Sequence, residues 1–253
     1  QTAALALGRL AHYSEELAER VVTSDILPQL VLSLSNDNKY YRRSAAFVLR
    51  SVAKHNARLA QAVVDSGAIE SLVDCLAQFD YGVKEAAAWS LGNIAKHSAE
   101  LAQAVVEHQC VPLLLLCVKE PEVSLKKVAA STLSYICGHS SELAQAVVDA
   151  EGVPDIAPLI ENPQVKRQAC TCLANIAKHS VTLAEIVVDG EIFPKIFTLL
   201  NDPDDPIVRK NAATCIREIA KHTPELSAHV VNSGGLPAIV DYVKNAEGDN
   251  KLP

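Results

Sequence analysis

Five histidines, His55, His97, His139, His179 and His222, recur at near-equal intervals, a pattern that invites a metal site or a general base. The interval argues against both. Residues one repeat apart stand on successive helical layers roughly 10 Å apart, whereas a zinc ion needs its imidazole nitrogens about 2 Å away. Each histidine closes a helix-forming stretch, where free carbonyls and partial negative charge favour His or Lys. No nucleophile, base and orienting acid converge, and there is no glycine-rich phosphate loop, so neither catalysis nor a cofactor or metal is expected. Seven cysteines are scattered without metal-ligand spacing, mostly where other copies carry Ala or Val, and are expected to be buried, reduced thiols. Cys170 and Cys172, two apart, fall on different faces of a helix.

The chemistry that does recur is charge. On a helix turning ~100° per residue, offsets of 4, 8 and 11 return within ~80° of the starting direction. Five such rows are Arg43, Phe47, Ser51, Lys54; Glu85, Trp89, Asn93, Lys96; Lys127, Ser131, Tyr135, Gly138; Arg167, Thr171, Asn175, Lys178; and Lys210, Thr214, Glu218, Lys221. A partial helix before them offers Gln1, Leu5, Arg9 and His12. Nine of these side chains are basic and two, Glu85 and Glu218, are acidic, so the stripe carries +7 in a chain of net charge −7. If the stripe lines a concave wall, its field concentrates acidic partners. The expected groove residues are Arg43, Phe47, Lys54, Trp89, Asn93, Lys96, Lys127, Tyr135, Arg167, Asn175, Lys178, Lys210 and Lys221, with Trp89 and Asn93 as the local hot spot. The position before the stripe is basic as well: Arg42, Lys84, Lys126, Lys166 and Arg209. It lies in a first helical turn, where the macrodipole disfavours a cation by ~0.3–1 kcal/mol, so either a partner or nearby acids (Asp80, Glu122, Asp204, Asp205) must account for it.

These rows are positioned by a repeated phrase: LAHYSEELAERVV, VAKHNARLAQAVV, IAKHSAELAQAVV, ICGHSSELAQAVV, IAKHSVTLAEIVV and IAKHTPELSAHVV. Its anchor leucines, Leu17, Leu59, Leu101, Leu143, Leu183 and Leu226, lie 42, 42, 42, 40 and 43 residues apart, the period of a helical solenoid. Ser14, Asn56, Ser98, Ser140, Ser180 and Thr223 are helix N-caps, each opening a short first helix. A second begins near Pro28, Pro112, Pro154, Pro194 and Pro237, with Glu70 the exception, and several copies place Gly67, Gly152 or Gly235 just ahead. After a polar break comes the longest helix, expected over Val83 to His97, with Val83, Ala87, Leu91 and Ile94 toward the core. The expected fold is all-α, a right-handed superhelical solenoid of three-helix units. A partial repeat 1–13, repeats 14–55, 56–97, 98–139, 140–179 and 180–222, and a partial repeat 223–253 form one array. The core must be small and aliphatic, since 49% of residues are hydrophobic but 4% aromatic. Neither end carries a polar capping repeat, so the chain reads as a segment of a longer array with room for end-to-end self-association. The longest apolar run, Cys110 to Val118, is far short of the ~20 residues of a membrane span, and the expectation is a soluble, non-secreted protein.

The segment AAAWSLGNIAKH resembles the third helix of armadillo repeats in importin-α-like and catenin-like proteins, where that helix lines the concave groove. The fuller phrase AKHS-x-ELAQAVV, running through nearly the whole chain, is similar to the armadillo proteins of the axonemal central apparatus. That resemblance implies a non-enzymatic scaffold on a central-pair microtubule, required for flagellar motility and located in the cytoplasm, cytoskeleton and axoneme. Its partners would be acidic segments, tubulin tails or central-apparatus proteins. The importin-like alternative, an adaptor for basic nuclear-localisation peptides, needs a ladder of Trp-x-x-x-Asn pairs. Here Trp89 with Asn93 completes the pair, while Asn175 has Thr171 in the Trp position. A sequence pI near 5.6 and the lack of interleaved aromatics argue against nucleic acid, and no membrane partner is expected.

Overall fold

The computed structural model describes residues 1–245, and these form helices with no strand among them. The chain divides into two compact units between His139 and Ser140. In the first, α1 (Thr2–Tyr13) precedes three complete repeats. They are α2 (Glu15–Thr23), α3 (Leu27–Leu34) and α4 (Lys39–Ala53); α5 (Ala57–Asp65), α6 (Ala68–Leu76) and α7 (Tyr81–Ala95); and α8 (Ala99–Glu107), α9 (Cys110–Lys119) and α10 (Val123–Cys137). The second unit holds α11 (Ser141–Asp149), α12 (Gly152–Ile156) continued by a 3-10 turn Ala157–Glu161, and α13 (Lys166–Ala177). It goes on through α14 (Val181–Asp189), α15 (Phe193–Leu199), α16 (Pro206–Ala220), α17 (Pro224–Asn232) and α18 (Gly235–Asn245).

Local chemistry explains the boundaries. All six expected caps accept a bond from the backbone N–H three residues on, at 2.8–3.3 Å, satisfying a donor that the helix itself leaves free. The first helix then ends on one left-handed residue per repeat: Asp25, Gly67, Gln109, Glu151, Glu191 and Gly234, with φ between 53° and 91°. The three glycines expected where the second helix begins stand there, and Gly67 is itself left-handed. Gly152 and Gly235 are not the left-handed residues but follow them, inside α12 and α18. A Cβ there would come within 2.6 and 2.7 Å of the Val147 and Val230 carbonyl oxygens, so these glycines serve close approach. The third helix also starts earlier than expected. In α7 Asp80 is the cap, its carboxylate accepting from Val83 N at 3.0 Å, and the helix runs Tyr81–Ala95, leaving His97 in the turn beyond.

Within the first unit, successive third helices α1, α4, α7 and α10 contact one another far more extensively than successive first or second helices, so its layers converge on the third-helix side. Small residues allow this. Ala45, Ala46, Ala87, Ala88, Ala129 and Ala130 are all buried, and a Cβ on Gly92 would lie 2.5 Å from Thr132 Oγ1. Polar side chains cross the same interface. Ser90 Oγ donates to Ala46 O at 2.9 Å and Thr132 Oγ1 to Ala88 O at 2.9 Å.

The histidines do more than end their own helices. Nε2 of His55, His97 and His139 bonds the carbonyl oxygens of Ala11, Ala53 and Ala95 at 2.6–2.7 Å, each at the C-terminus of the preceding third helix. In the second unit His222 bonds Ala177 O at 2.7 Å in the same way. Each imidazole thus satisfies a carbonyl that the earlier helix leaves without an internal partner.

Replacing His97 by Ala should lower unfolding free energy by about 1–2 kcal/mol, because Ala53 O loses its partner, while Gln, which keeps a donor, should cost less. Burial, opposed by the Ala53 bond, holds His97 below its ordinary value. Its contribution should therefore be fully present above about pH 6.5 and shrink as pH falls through that value toward the folded pKa. Urea unfolding at pH 7.5 and 5.5 checks this, and His97→Gln should flatten that part of the slope.

Candidate functional site

The third-helix face of the first unit carries a groove of about 450 Å3, lined by Leu5 of α1, Tyr40, Arg43, Phe47 and Arg50 of α4, and Gly82, Glu85 and Trp89 of α7, among others. Phe47 packs against α1 at Gly8, where any Cβ would collide with its ring, and it stacks on His12 with centroids 6.5 Å apart. Arg43 crosses to α7, its guanidinium resting where a Cβ on Gly82 would be. The Arg50 guanidinium sits over the Trp89 ring, 4.6 Å from its centroid. Burial lowers the Arg50 pKa, partly offset by Glu85, and no carboxylate reaches ion-pair distance of it among the described residues. Glu85 itself accepts from Ser124 Oγ at 3.0 Å.

The remaining expected residues fall into two groups. Several are held by the fold. Asn93 is buried and donates to Arg50 O at 3.1 Å, so its amide faces the neighbouring helix and does not stand beside Trp89 as an exposed pair. Lys54 Nζ donates to His12 O at 2.5 Å and Lys96 Nζ to Lys54 O at 2.8 Å, and burial lowers the pKa of both. Arg167 pairs with Asp205 at 2.7 Å, Lys221 with Glu218 at 2.5 Å, and Asn175 and Lys178 are half-buried with partners of their own. Exposed and without an ion pair among the described residues are Arg9, Arg43 and Lys127 in the first unit and Lys210 in the second; Tyr135 is exposed beside Lys127's row.

The basic position before the stripe is largely structural, though not with the acids expected. Three of its five members reach forward 36 residues, to the break before the next third helix. Arg42 bonds Gln78 Oε1 at 2.5 Å, Lys84 pairs with Glu120, and Lys166 pairs with Asp202. Arg209 donates to Asp202 O at 2.6 Å. Of the acids expected to serve it, Asp80 takes Lys39 at 2.9 Å and Asp205 takes Arg167. Burial pushes the Asp202 carboxyl up, but the Lys166 bond and two backbone N–H groups outweigh it and hold it below the usual carboxylate range. Arg50 is the residue that the sequence reading missed. At offset 7 from Arg43 it turns only ~20° away from it, nearer than offsets 4 or 8, so the helical wheel itself held the signal.

All seven cysteines are buried and none is in a disulfide among the described residues, and burial pushes the thiols of Cys75 and Cys117 up to about 11 and of Cys110 and Cys170 up to about 12. Such thiols carry almost no thiolate near neutral pH and make poor nucleophiles. Among the described residues no single helix is long and apolar enough to cross a membrane; the apolar pair α8 and α9 meets at an 83° bend.

Comparison with known proteins agrees with the repeat architecture. The Armadillo/beta-catenin-like repeat family matches residues 56–96 and 98–138, and the HEAT repeat family matches residues 192–223. Sperm-associated antigen 6 of Mus musculus and of Homo sapiens are each 64% identical over 45 residues, 18% of this chain and 9% of the relative's length. An engineered protein of known structure superposes with a TM-score of 0.93 at 27% identity, covering 99% of this chain and 61% of that one. A designed armadillo repeat protein solved in complex with the peptide (KR)4 has a TM-score of 0.85 at 23% identity, covering 88% of this chain and 94% of its own.

If the forward pairs are structural and the exposed cations are not, the two sets should differ in stability effect. Lys166→Met, which strands the buried Asp202 carboxylate, should cost about 2 kcal/mol, while Arg43→Met should stay within about 0.5 kcal/mol. Equilibrium urea unfolding of both variants decides it.

Proposed function

We propose, from the premise that this chain is an array of armadillo repeats, that it is a scaffold holding an extended acidic segment of a partner protein against the third helices of its first unit. An armadillo array binds polypeptides and is not catalytic. One observation carries the finer reading. In a chain of net charge −7, Arg9, Arg43 and Lys127 stand exposed on the third helices of one unit with no ion pair among the described residues, though the field of Arg43 reaches Asp80. Phe47 and Trp89 supply apolar surface between them, and Lys210 offers the same charge in the second unit. Because exposed cations gain little from isolated surface pairs, several of one sign along a groove act chiefly through their summed field.

The alternative, an adaptor for basic peptides, draws less support. The Trp89 ring already carries the Arg50 guanidinium on one face, and the Asn93 amide is spent on Arg50 O. Similarity to Sperm-associated antigen 6, though it covers 18% of this chain, supports a place in the flagellar axoneme. There the acidic tails of tubulin, or acid-rich segments of central-apparatus proteins, have the charge this face calls for.

Fluorescence anisotropy with a labelled glutamate-rich peptide and the full chain tests the reading. Affinity should fall at least ~10-fold between 50 and 300 mM salt, and Arg43→Glu with Lys127→Glu should cost a further ~10-fold. Arg20→Glu on α2 should change affinity by about twofold at most. Microtubules trimmed of their acidic tails should cosediment less than intact ones. Salt-insensitive binding, or tighter binding of a lysine-rich peptide, would overturn the proposal.

A further inference from the structure

We infer that Arg50, Trp89 and Phe47 form the anchor of this binding face, a site that seats one carboxylate side chain on the Arg50 guanidinium and an adjoining aromatic side chain of the same segment against Phe47. The inference rests on the acidic-segment reading and narrows it from a charged face to one pocket and one residue pattern.

The Arg50 guanidinium is half-buried, has five N–H donors and no side-chain hydrogen bond or ion pair among the described residues. Glu85, on the same groove wall, offsets this burial only in part and does not reach ion-pair distance, so an incoming carboxylate that bonds the guanidinium directly relieves what is left. Arginine is the side chain whose planar fork grips a carboxylate through two parallel bonds. Stacking on Trp89 at 4.6 Å fixes the plane of that fork before any ligand arrives, so little side-chain entropy remains to be lost on binding. Burial disfavours the charged form of Arg50 by more than Glu85 favours it.

Phe47 makes the pocket two-part. It lies one helical turn before Arg50, pinned on Gly8, and borders both the Arg50 groove and a second hollow formed with Arg9, His12 and Tyr13. An aromatic ring beside a carboxylate on the ligand would find Phe47 and Arg50 side by side. The same geometry rejects cations, since Trp89 already carries one of the protein's own.

The arrangement is specific to this repeat. The positions matching Arg50 in later third helices are Gly92, Ser134, Ala174 and Arg217, and Arg217 is tied to Glu218 at 2.5 Å. The positions matching Phe47 and Trp89 are Ser131, Thr171 and Thr214. A partner segment bound to this unit is therefore held at one point and steered by charge elsewhere.

Trp89 is the chain's single tryptophan, so its emission reports the site directly. The probes are a ten-residue polyglutamate peptide with one central phenylalanine, the same peptide with alanine there, and a third with glutamine for glutamate. The phenylalanine peptide should shift Trp89 emission and bind ~10-fold tighter than the alanine peptide, a difference typical of a hot-spot aromatic. Arg50→Gln should erase that preference, and Arg50→Lys, which keeps the charge but loses the fork, should erase most of it. Arg43→Gln should weaken both acidic peptides alike and leave the preference intact. Thermal unfolding confirms that the variants fold, and Phe47→Leu gives an independent test of the second half of the pocket by the same loss of preference. If wild type binds both acidic peptides equally with no change at Trp89, the anchor is wrong while the acidic-segment reading survives. If it binds neither, both are wrong.

Discussion

The carbonyls at the end of each third helix have no partner inside their own helix, and the way they are satisfied organises what surrounds them. In the first unit the imidazoles of His55, His97 and His139 reach back to the preceding third helix and close those carbonyls at 2.6–2.7 Å. They can do so only because alanines and Gly92 let the helix axes approach. Close approach in turn buries the polar residues on the facing sides, so Ser90, Asn93 and Thr132 must donate to backbone oxygens across the interface, as they do. Lys54 and Lys96 are drawn into the same role.

This constraint sorts the cations. Lys54 and Lys96, at helix C-termini, cap the preceding repeat, and most of the cations one residue before the stripe clamp the following one, as Lys84 does with Glu120 and Lys166 with Asp202. What remains for a partner is the first half of each third helix, where Arg43 and Lys127 face solvent. Arg50 belongs to neither structural set. It is held by an aromatic face instead of an oxygen, and that is why it carries the weight of the binding argument.

Much of this is legible in the sequence, and the line where legibility stops is physical. The six N-caps and the apolar period of each helix are local properties, fixed by groups within a few residues, and they place the helices correctly to within two residues at α7. Burial of the cysteines follows from the same period. Choices between equally good partners are not local. A histidine after a third helix has carbonyls of two helices within reach, and only the interhelix distance decides for the earlier one. Glu151 occupies the left-handed turn although Gly152 stands next to it, because Gly152 is needed where Val147 O crowds the backbone. Asn93 reads as a groove residue on a helical wheel, yet the wheel does not show that its amide turns back to Arg50 O of the preceding third helix. Arg50 was the reverse case: its direction was legible, and its significance came only with Trp89 above it in space.

The central claim is that the first half of the third helices, not the outer helices, receives an acidic segment. The most direct measurement is a map of backbone amide chemical shifts in the full chain as a glutamate-rich peptide is added. Shifts concentrated in residues 40–50 and 82–92, with α5 and α8 unmoved, are the result expected from the geometry of Arg43, Arg50 and Trp89. Shifts confined to first or second helices, or none at peptide concentrations that saturate binding, would contradict it.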